Sequence, residues 1–276
     1  MGTYVPFAGK NAIAEMSIGI IFQSALDSSI GEKFTVVRDE LVADFSKFEP
    51  IQQFVFNFGG SPQFPPMLPS GPVPQNPSGI AFTKTRGDGN IARIFRILNN
   101  SISFHIMEYT SWSEAKSLAL DYTNRSLTKL ATIDKNPATA LIVRYLDRFT
   151  FDGDPNTANA KMLLRPGTDL VAARIFESGS QWHCNSGWYQ ALVNQEVALN
   201  NLNLASALIQ NVFGVVIEHT NLYTLPKPCN SLVELTHGAD GRPSLEEILD
   251  LQHKVNVGVL RKLLIPDILK TIGLEG

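Results

Sequence analysis

The chain has 276 residues, of which 44% are hydrophobic and 18% are charged. This composition is typical of a globular protein with a sizeable core, and it excludes the apolar-poor, highly charged chains that stay disordered. The formal net charge of -3 supplies no overall field that would attract nucleic acid or an anionic membrane, so we expect neither as a partner.

Cysteine content and the length of apolar runs indicate the compartment. Two cysteines, Cys184 and Cys229, are too few to cross-link a chain of this length, and nothing near its start resembles an export signal. Apolar runs such as Ile18 to Phe22 are far shorter than the roughly 20 residues that cross a bilayer. We therefore expect a cytoplasmic protein without a membrane span, with both cysteines as buried thiols.

Hydrophobic periodicity predicts the first elements. Alternating apolar residues from Ala12 to Phe22 predict a strand with one buried face. Apolar residues spaced by three or four from Phe34 to Phe48 predict an amphipathic helix, which Pro50 ends. Alternation returns from Phe54 to Phe58 and predicts a second strand directly after that helix.

A proline-rich segment follows. Seven of the sixteen prolines lie between Ser61 and Gly79, and such a stretch forms neither a helix nor a central strand because proline fixes φ and lacks a donor. We expect a long extended surface loop that exposes Phe64, Met67 and Leu68. Either the loop is a plain connection, or these three side chains bind a partner.

The next strands are predicted to form a hairpin with an added third strand. Ile80 to Arg86 and Ile91 to Leu98 flank a Gly-Asp-Gly-Asn turn, which tolerates positive φ. Ile102 to Ile106 alternates and continues the sheet. Ser111, with a glutamate three residues later, has capping-box spacing and predicts a helix that ends before Asn136.

A strand from Ala140 to Phe151 then closes a first half, because Asp152 to Asn156 is rich in turn residues. We place a subdomain junction there, which gives an N-terminal half of residues 1–151 and a C-terminal half of residues 152–276. The second half is predicted to hold strands near Asp169 to Glu177, Trp182 to Leu192, Val197 to Leu204 and Val212 to Tyr223. A long helix from Ser244 to Leu263, closed by Pro266, ends the pattern.

This element order predicts an α+β fold with antiparallel-rich sheets, a few long amphipathic helices and two α+β halves. No motif for catalysis stands out. The five histidines lack metal-site spacing, and the chain has no nucleophile elbow, phosphate loop or dinucleotide fingerprint. We therefore expect no metal and no cofactor, and the sequence leaves open whether the protein is an enzyme.

Two arginines occur on a strand that otherwise looks buried. Arg144 and Arg148 share a face of that strand, and desolvated guanidinium groups require partners. Either they form structural ion pairs with Glu15, Glu108 or Asp147, or they line a cleft that receives an anion. The candidate ligand-binding residues are Arg144, Arg148, His105 and Glu15.

Several short matches give the chain a resemblance to a known family. They are the opening strand Ala12 to Glu15, Tyr109 with Trp112, the Arg144-Tyr145-x-Asp147-Arg148 strand, and His253 in the last helix. With these residues the chain resembles an uncharacterised, sporadically distributed prokaryotic family of proteins of about this length. The resemblance implies a free-standing bacterial protein from mobile or defence-related neighbourhoods, with no catalytic residues to carry over.

Two hypotheses about function follow. The first is a non-catalytic binding or regulatory protein that recognises another protein, or its own copy, through the proline-rich loop and the adjacent sheet surface. The second is an enzyme or a nucleotide- or anion-responsive protein that uses Arg144, Arg148, His105 and Glu15 in a cleft.

Overall fold

The computed structural model describes residues 2–24, 30–51, 79–98, 100–130, 136–193, 196–209, 211–229, 232–238 and 242–274. The strands of these ranges are β1 (Thr3–Pro6), β2 (Ile13–Phe22), β3 (Lys47–Ile51), β4 (Gly79–Thr85), β5 (Ile91–Leu98), β6 (Ser101–Ile106), β7 (Ala138–Asp152), β8 (His183–Val193), β9 (Glu196–Ile209) and β10 (Val212–Cys229). The α-helices are α1 (Ile30–Leu41), α2 (Trp112–Leu130), α3 (Leu232–His237), α4 (Leu245–Leu263) and α5 (Pro266–Thr271).

The ten strands form one antiparallel sheet in the order β3-β4-β5-β6-β2-β7-β10-β9-β8, with β1 paired to the end of β7. The long strand β7 lies in the middle, between β2 on one side and β10 on the other. The α+β class and the antiparallel character of the predicted fold are confirmed.

The two faces of this sheet differ. The sheet residues in both hydrophobic cores come from one face, for example Met16, Tyr145 and Phe149, and the buried helix residues pack with them. We call this the covered face. The alternate residues, such as Arg144 and Leu146, are half-buried on the other face, which no helix of the described ranges covers. We call that side the open face.

Two cores lie side by side on the covered face. One lies under α1, α2, α3 and the first turns of α4, and the other lies under the last turns of α4 and under α5. Each core combines residues from both sides of the junction at residues 151 and 152. A single sheet runs through both predicted halves, and neither core is confined to one of them. The division into two α+β halves therefore stays a prediction.

Most of the predicted elements are confirmed with shifts at their ends. These are β2, the β4–β5 hairpin, β6, α2, β7, β8, β9, β10 and α4. The terminal helix begins as the sequence indicates, because the Ser244 side chain accepts a hydrogen bond from the backbone of Glu247 and the Glu247 side chain bonds back to Ser244.

The prediction of a helix from Phe34 to Phe48 was wrong at its end. The helix stops at Leu41, and Phe48 and Pro50 lie in β3. Proline is tolerated there because β3 is the last strand among those that the structure describes, and proline occurs in sheets mainly on such edge strands. The apolar spacing continued past the helix because Phe45, which follows it, packs on Tyr122 with ring centroids 5.0 Å apart.

The prediction of a strand from Asp169 to Glu177 was also wrong. Its last five residues form a short 3-10 helix, Ala173–Glu177. The adjacent residues Ile175 and Phe176 are both buried in the second core, which an alternating strand would not allow. The strand predicted from Phe54 to Phe58 lies outside the described residues.

The proline-rich loop also lies outside the described ranges apart from Gly79, and with it Phe64, Met67 and Leu68. Among the helices that the structure describes, none combines the length and the apolar character that crossing a membrane requires.

Candidate functional site

The open face brings three of the predicted site residues together. Ser17 on β2 is the cross-strand partner of His105 on β6 and of Arg144 on β7. Glu15 lies two residues from Ser17 on the same face, so it neighbours both side chains diagonally. Glu218 on β10 lies on the other side of β7, again one diagonal step from Arg144. We call Glu15, His105, Arg144 and Glu218 the open-face cluster.

Hydrogen bonds connect this cluster in a chain. His105 Nδ1 lies 2.9 Å from Glu15 Oε1, and His105 Nε2 lies 3.0 Å from Ser103 Oγ. Arg144 donates from Nη1 to Glu15 Oε1 over 3.3 Å and from Nε to Glu218 Oε1. An ionised carboxylate only accepts, so Nδ1 of a neutral His105 carries the proton and Nε2 accepts from Ser103.

The charges of the cluster stabilise Glu15 as a carboxylate. The hydrogen bond from His105 lowers the pKa of Glu15, and the charges of His105, Arg144 and Arg96 lower it further, against the opposing effect of burial. The side chains remain partly accessible, with 30% of Arg144 and 22% of Glu15 exposed. The cluster is therefore an ordered ion network that solvent still reaches.

Arg148 is not part of this network. Its guanidinium lies over the ring of Phe7, with 5.4 Å between the Arg148 carbon and the ring centroid. Its Nε is buried and has no hydrogen-bond partner among the described residues. Asp147, one of the acidic partners considered for the arginines, points to the covered face, where it is 1% exposed.

Two surface hollows of the described chain lie elsewhere. One runs beside β8 and is lined by Leu170, Trp188 and Tyr189 among others, and the second lies at the β9–β10 turn near Trp182 and Phe213. Neither is lined by Arg144 or Arg148. His105 and Glu15 are likewise absent from both linings.

A second polar cluster lies on the covered face between α2 and α4. The phenol oxygen of Tyr145 is 2.8 Å from His253 Nδ1, and the ring of Trp112 stacks on His253 at 4.4 Å between centroids. Trp112 Nε1 donates to Asp250 over 2.6 Å, and Lys116 Nζ donates to both oxygens of that carboxylate. We call these five residues the α2–α4 cluster. It joins two helices to each other and to β7.

Burial perturbs the ionisable groups around this cluster. It lowers the pKa of His253 to about 4 and raises the pKa of Asp147 to about 7. Burial also raises the pKa of Tyr145 well above its ordinary value, and the pKa of Tyr109 to about 12 with a further contribution from the Asp147 charge. The Oδ2 atom of Asp147 is buried without a hydrogen-bond partner in the described part of the chain.

Residues that the sequence singled out only for a resemblance meet in this region. Trp112, Tyr145 and His253 are in contact, and the Asp147 charge acts on both Tyr109 and Tyr145. Sequence reasoning had no route to this arrangement because Tyr145 and His253 are 108 residues apart. The signal available was the set of aromatic and ionisable residues in those short matches.

A third set of polar groups is fully enclosed. His219 is 0% exposed, with Nδ1 2.9 Å from Asn256 Oδ1 and Nε2 3.1 Å from Asn200 Oδ1. Asn221 donates to Asn200 over 2.8 Å, and Gln252 donates to Asn221 over the same distance. Burial lowers the pKa of His219 to about 4. These contacts fix α4 onto β9 and β10, and all five side chains are buried, so we assign them a structural role.

Both cysteines are buried and neither forms a disulfide. Within the described ranges, no group of three or more His, Cys, Asp or Glu side chains is placed to hold a metal ion. No protein-family model matches the chain, and no curated protein matches it. Membership of the prokaryotic family that the chain resembles is therefore a proposal.

Proposed function

We propose that this protein is a non-catalytic binding or regulatory protein that recognises another protein through its open face. The observation that carries the proposal is a broad sheet surface, nine strands wide, on which no described helix packs. An α+β sheet ordinarily has one face against helices and one face toward solvent, and the solvent face is available for recognition.

The side chains of this face are arranged in rows across the strands. One row, formed by cross-strand partners, is Asn201, Thr220, Arg144, Ser17 and His105. We call it the polar row. The neighbouring row begins with Leu199, Leu222 and Ile142, which are half-buried apolar residues. A polar row beside an apolar row supplies the mixture of hydrogen-bonding and apolar area that protein interfaces use.

The ion network favours binding of a protein over binding of a small anion. Arg144 already bonds to Glu15 and to Glu218, so an anion would have to displace two carboxylates that oppose it by charge. The same contacts hold the side chains in place before a partner arrives. Binding then costs less side-chain entropy, which favours recognition by a pre-ordered surface.

Site-specific photocrosslinking in living cells that naturally express the protein tests this proposal. We would place a photoreactive phenylalanine analogue at Asn201 or Thr220 on the open face and, as a matched control, at Lys254 on the exposed side of α4. We expect a discrete adduct with one protein from both open-face positions and none from the control position. Absence of an adduct at the open-face positions, or equal adducts at all three, would overturn the proposal.

Further parts of the proposal rest on the sequence alone. We include a contact of Phe64, Met67 and Leu68 with the same partner, a cytoplasmic location, and a prokaryotic, defence-related setting. Deleting Gln63 to Pro74 is expected to weaken the photocrosslinks from Thr220 without unfolding the core. Unchanged adduct yields would remove the loop from the binding surface.

A second candidate function is hydrolysis, which one observation favours. His105 bonds to Ser103 through Nε2 and to Glu15 through Nδ1, which is the atom arrangement of a nucleophile, a general base and a carboxylate that orients the base. In such a reaction Ser103 Oγ would attack an acyl carbon and pass its proton to His105, which would then protonate the leaving group. Water, giving a proton to His105, would next attack the acyl-serine, and His105 would return that proton to Ser103 Oγ as the acid product leaves.

A fluorophosphonate probe separates this candidate from the first. Covalent labelling at Ser103 that disappears in Ser103→Ala and His105→Ala, but persists in Ser17→Ala, would establish a reactive serine. Absence of labelling in the wild-type chain would exclude it. A thermal shift with inorganic phosphate or nucleotides that is lost in Arg144→Met would instead support an anion-responsive protein.

A further inference from the structure

The two edges of the sheet are built differently. The edge strand β3 has five residues and includes Lys47, Glu49 and Pro50. Charged residues and proline at an edge discourage pairing with another strand. The opposite edge strand, β8, has eleven residues and contains no Asp, Glu, Lys, Arg or Pro. This edge has none of the usual side-chain barriers to pairing.

The outer side of β8 is also without backbone partners in the described ranges. The ladder hydrogen bonds of β8 run to β9, and no backbone hydrogen bond outside that ladder involves residues of β8. In an antiparallel strand, about half of the N–H and C=O groups point away from a single neighbour. A row of unpaired donors and acceptors therefore faces outward along the length of β8.

The side chains around this edge suit a second strand. Tyr189 is 72% exposed, so most of its ring is available to a neighbouring molecule. Beside it lies the hollow that is lined by Leu170 and Trp188, and Asp169 and Lys262 also line it. The hollow offers apolar walls to a side chain from a neighbouring strand, together with one charge of each sign.

Identical strands are well matched at such an edge. Antiparallel pairing of a strand with its own copy follows a two-fold axis, so the same residues meet from both sides. Like charges opposite each other destabilise a strand pair. Two copies of β8 bring no such charges together, because the strand contains no Asp, Glu, Lys or Arg. A second copy of this chain is the partner that these properties favour.

We propose that two copies of this protein pair through β8, antiparallel and about a two-fold axis near the middle of the strand. The pairing joins the two ten-stranded sheets into one continuous sheet and sets their open faces side by side. It goes beyond the proposed function, since it concerns the sheet edge and its partner is the chain itself. A protein bound by the open face would then meet a two-fold symmetric surface.

Sedimentation of the full chain tests the pairing. We expect the wild-type protein at micromolar concentration to sediment at twice the chain mass of 30.3 kDa. Tyr189→Lys places two lysines near the axis and is expected to weaken dimerisation by about tenfold or more. Val36→Lys, which makes the same kind of change on the exposed side of α1, should leave the dimer intact.

Charge complementation and hydrogen exchange guard against a trivial result. Tyr189→Lys mixed with Tyr189→Glu should restore the dimer that each variant alone forms only at higher concentration. In the wild-type chain, the β8 amides that point away from β9 should gain protection from exchange as the concentration rises, whether or not the variants fold. A monomeric wild type, or a dimer in which these outward-facing amides exchange as fast as in the monomer, would overturn the pairing. The photocrosslinks at Thr220 would still test the proposed function separately.

Discussion

Tyr145 and His253 are joined by a hydrogen bond of 2.8 Å between the phenol oxygen and Nδ1, which links the central strand to α4 on the covered face. Trp112 closes the arrangement by stacking on the imidazole from α2. One bond between two residues thus ties together a strand and two helices. The stability of the helix layer should depend on it.

Replacing Tyr145 with phenylalanine removes this bond and leaves His253 Nδ1 without its partner. We expect Tyr145→Phe to lower the free energy of unfolding by about 1 to 3 kcal/mol, because a buried polar group that loses its partner costs about that much. Urea denaturation measures the change. Tyr4→Phe is the control, since the buried Tyr4 hydroxyl has no hydrogen-bond partner among the described residues; equal effects of the two substitutions would contradict the assigned role of the bond.

Asp147 should make the protein less stable as the pH rises. Burial raises its pKa from 3.8 to about 7, so the folded state holds a proton that the unfolded state has already lost. The free energy of unfolding therefore falls as the pH rises from about 4 to about 7, by up to the order of 4 kcal/mol.

Asp147→Asn removes this dependence and should stabilise the protein at about pH 8, with a difference that shrinks toward about pH 4. Urea denaturation across this range gives the comparison. Asp152→Asn, at the exposed end of the same strand, is the matched control. A constant difference between Asp147→Asn and the wild type at all pH values would argue against an ionising Asp147.

His219 should make the protein less stable as the pH falls. Burial lowers its pKa from 6.5 to about 4, so the unfolded state takes up a proton before the folded state does. Its contribution to stability is complete above about pH 6.5 and is lost as the pH falls toward about 4. His219→Gln should reduce this loss of stability at low pH, whereas His237→Gln, at an exposed site on α3, should not. An equal fall in the free energy of unfolding below about pH 6.5 in all three proteins would show that His219 does not titrate on unfolding.

Arg144 should contribute moderately to stability. Arg144→Met leaves Glu15 and Glu218 without their shared partner on a surface that solvent reaches, so we expect a folded protein whose free energy of unfolding is lower by about 1 kcal/mol. Arg148→Met, which loses only a contact with the half-exposed ring of Phe7, should cost less. The two urea midpoints give the order, and complete unfolding of Arg144→Met would mean that the ion network is essential to the fold.

The sequence predicted the strands well where one face is buried, since alternation along β2, β6 and β7 reports burial directly. The prediction failed where the structure of a segment depends on its neighbours in the sheet. Pro50 is compatible with a strand only because β3 lies at an edge, and edges depend on the order of strands, which periodicity does not contain.

The candidate site was predictable in part for the same reason. Glu15, His105 and Arg144 were chosen as polar residues on strands, and the pairing of β2 with β6 and β7 brings them together. Glu218 was missed because its place beside Arg144 depends on the register of β10 against β7. The α2–α4 cluster was beyond local patterns, because it joins residues through the packing of helices on the sheet.

The central position of β7 also determines when the sheet can be completed during synthesis of the chain. Residues of β2 pair with residues of β7 more than a hundred positions later, and β7 itself pairs with β10 near the end of the chain. Such non-local pairing slows folding, because long loops must close before the contacts form. A ribosome that has not yet made β10 carries a chain whose middle strand has an unpaired flank. The nascent protein is thus expected to need protection from aggregation until translation is almost finished.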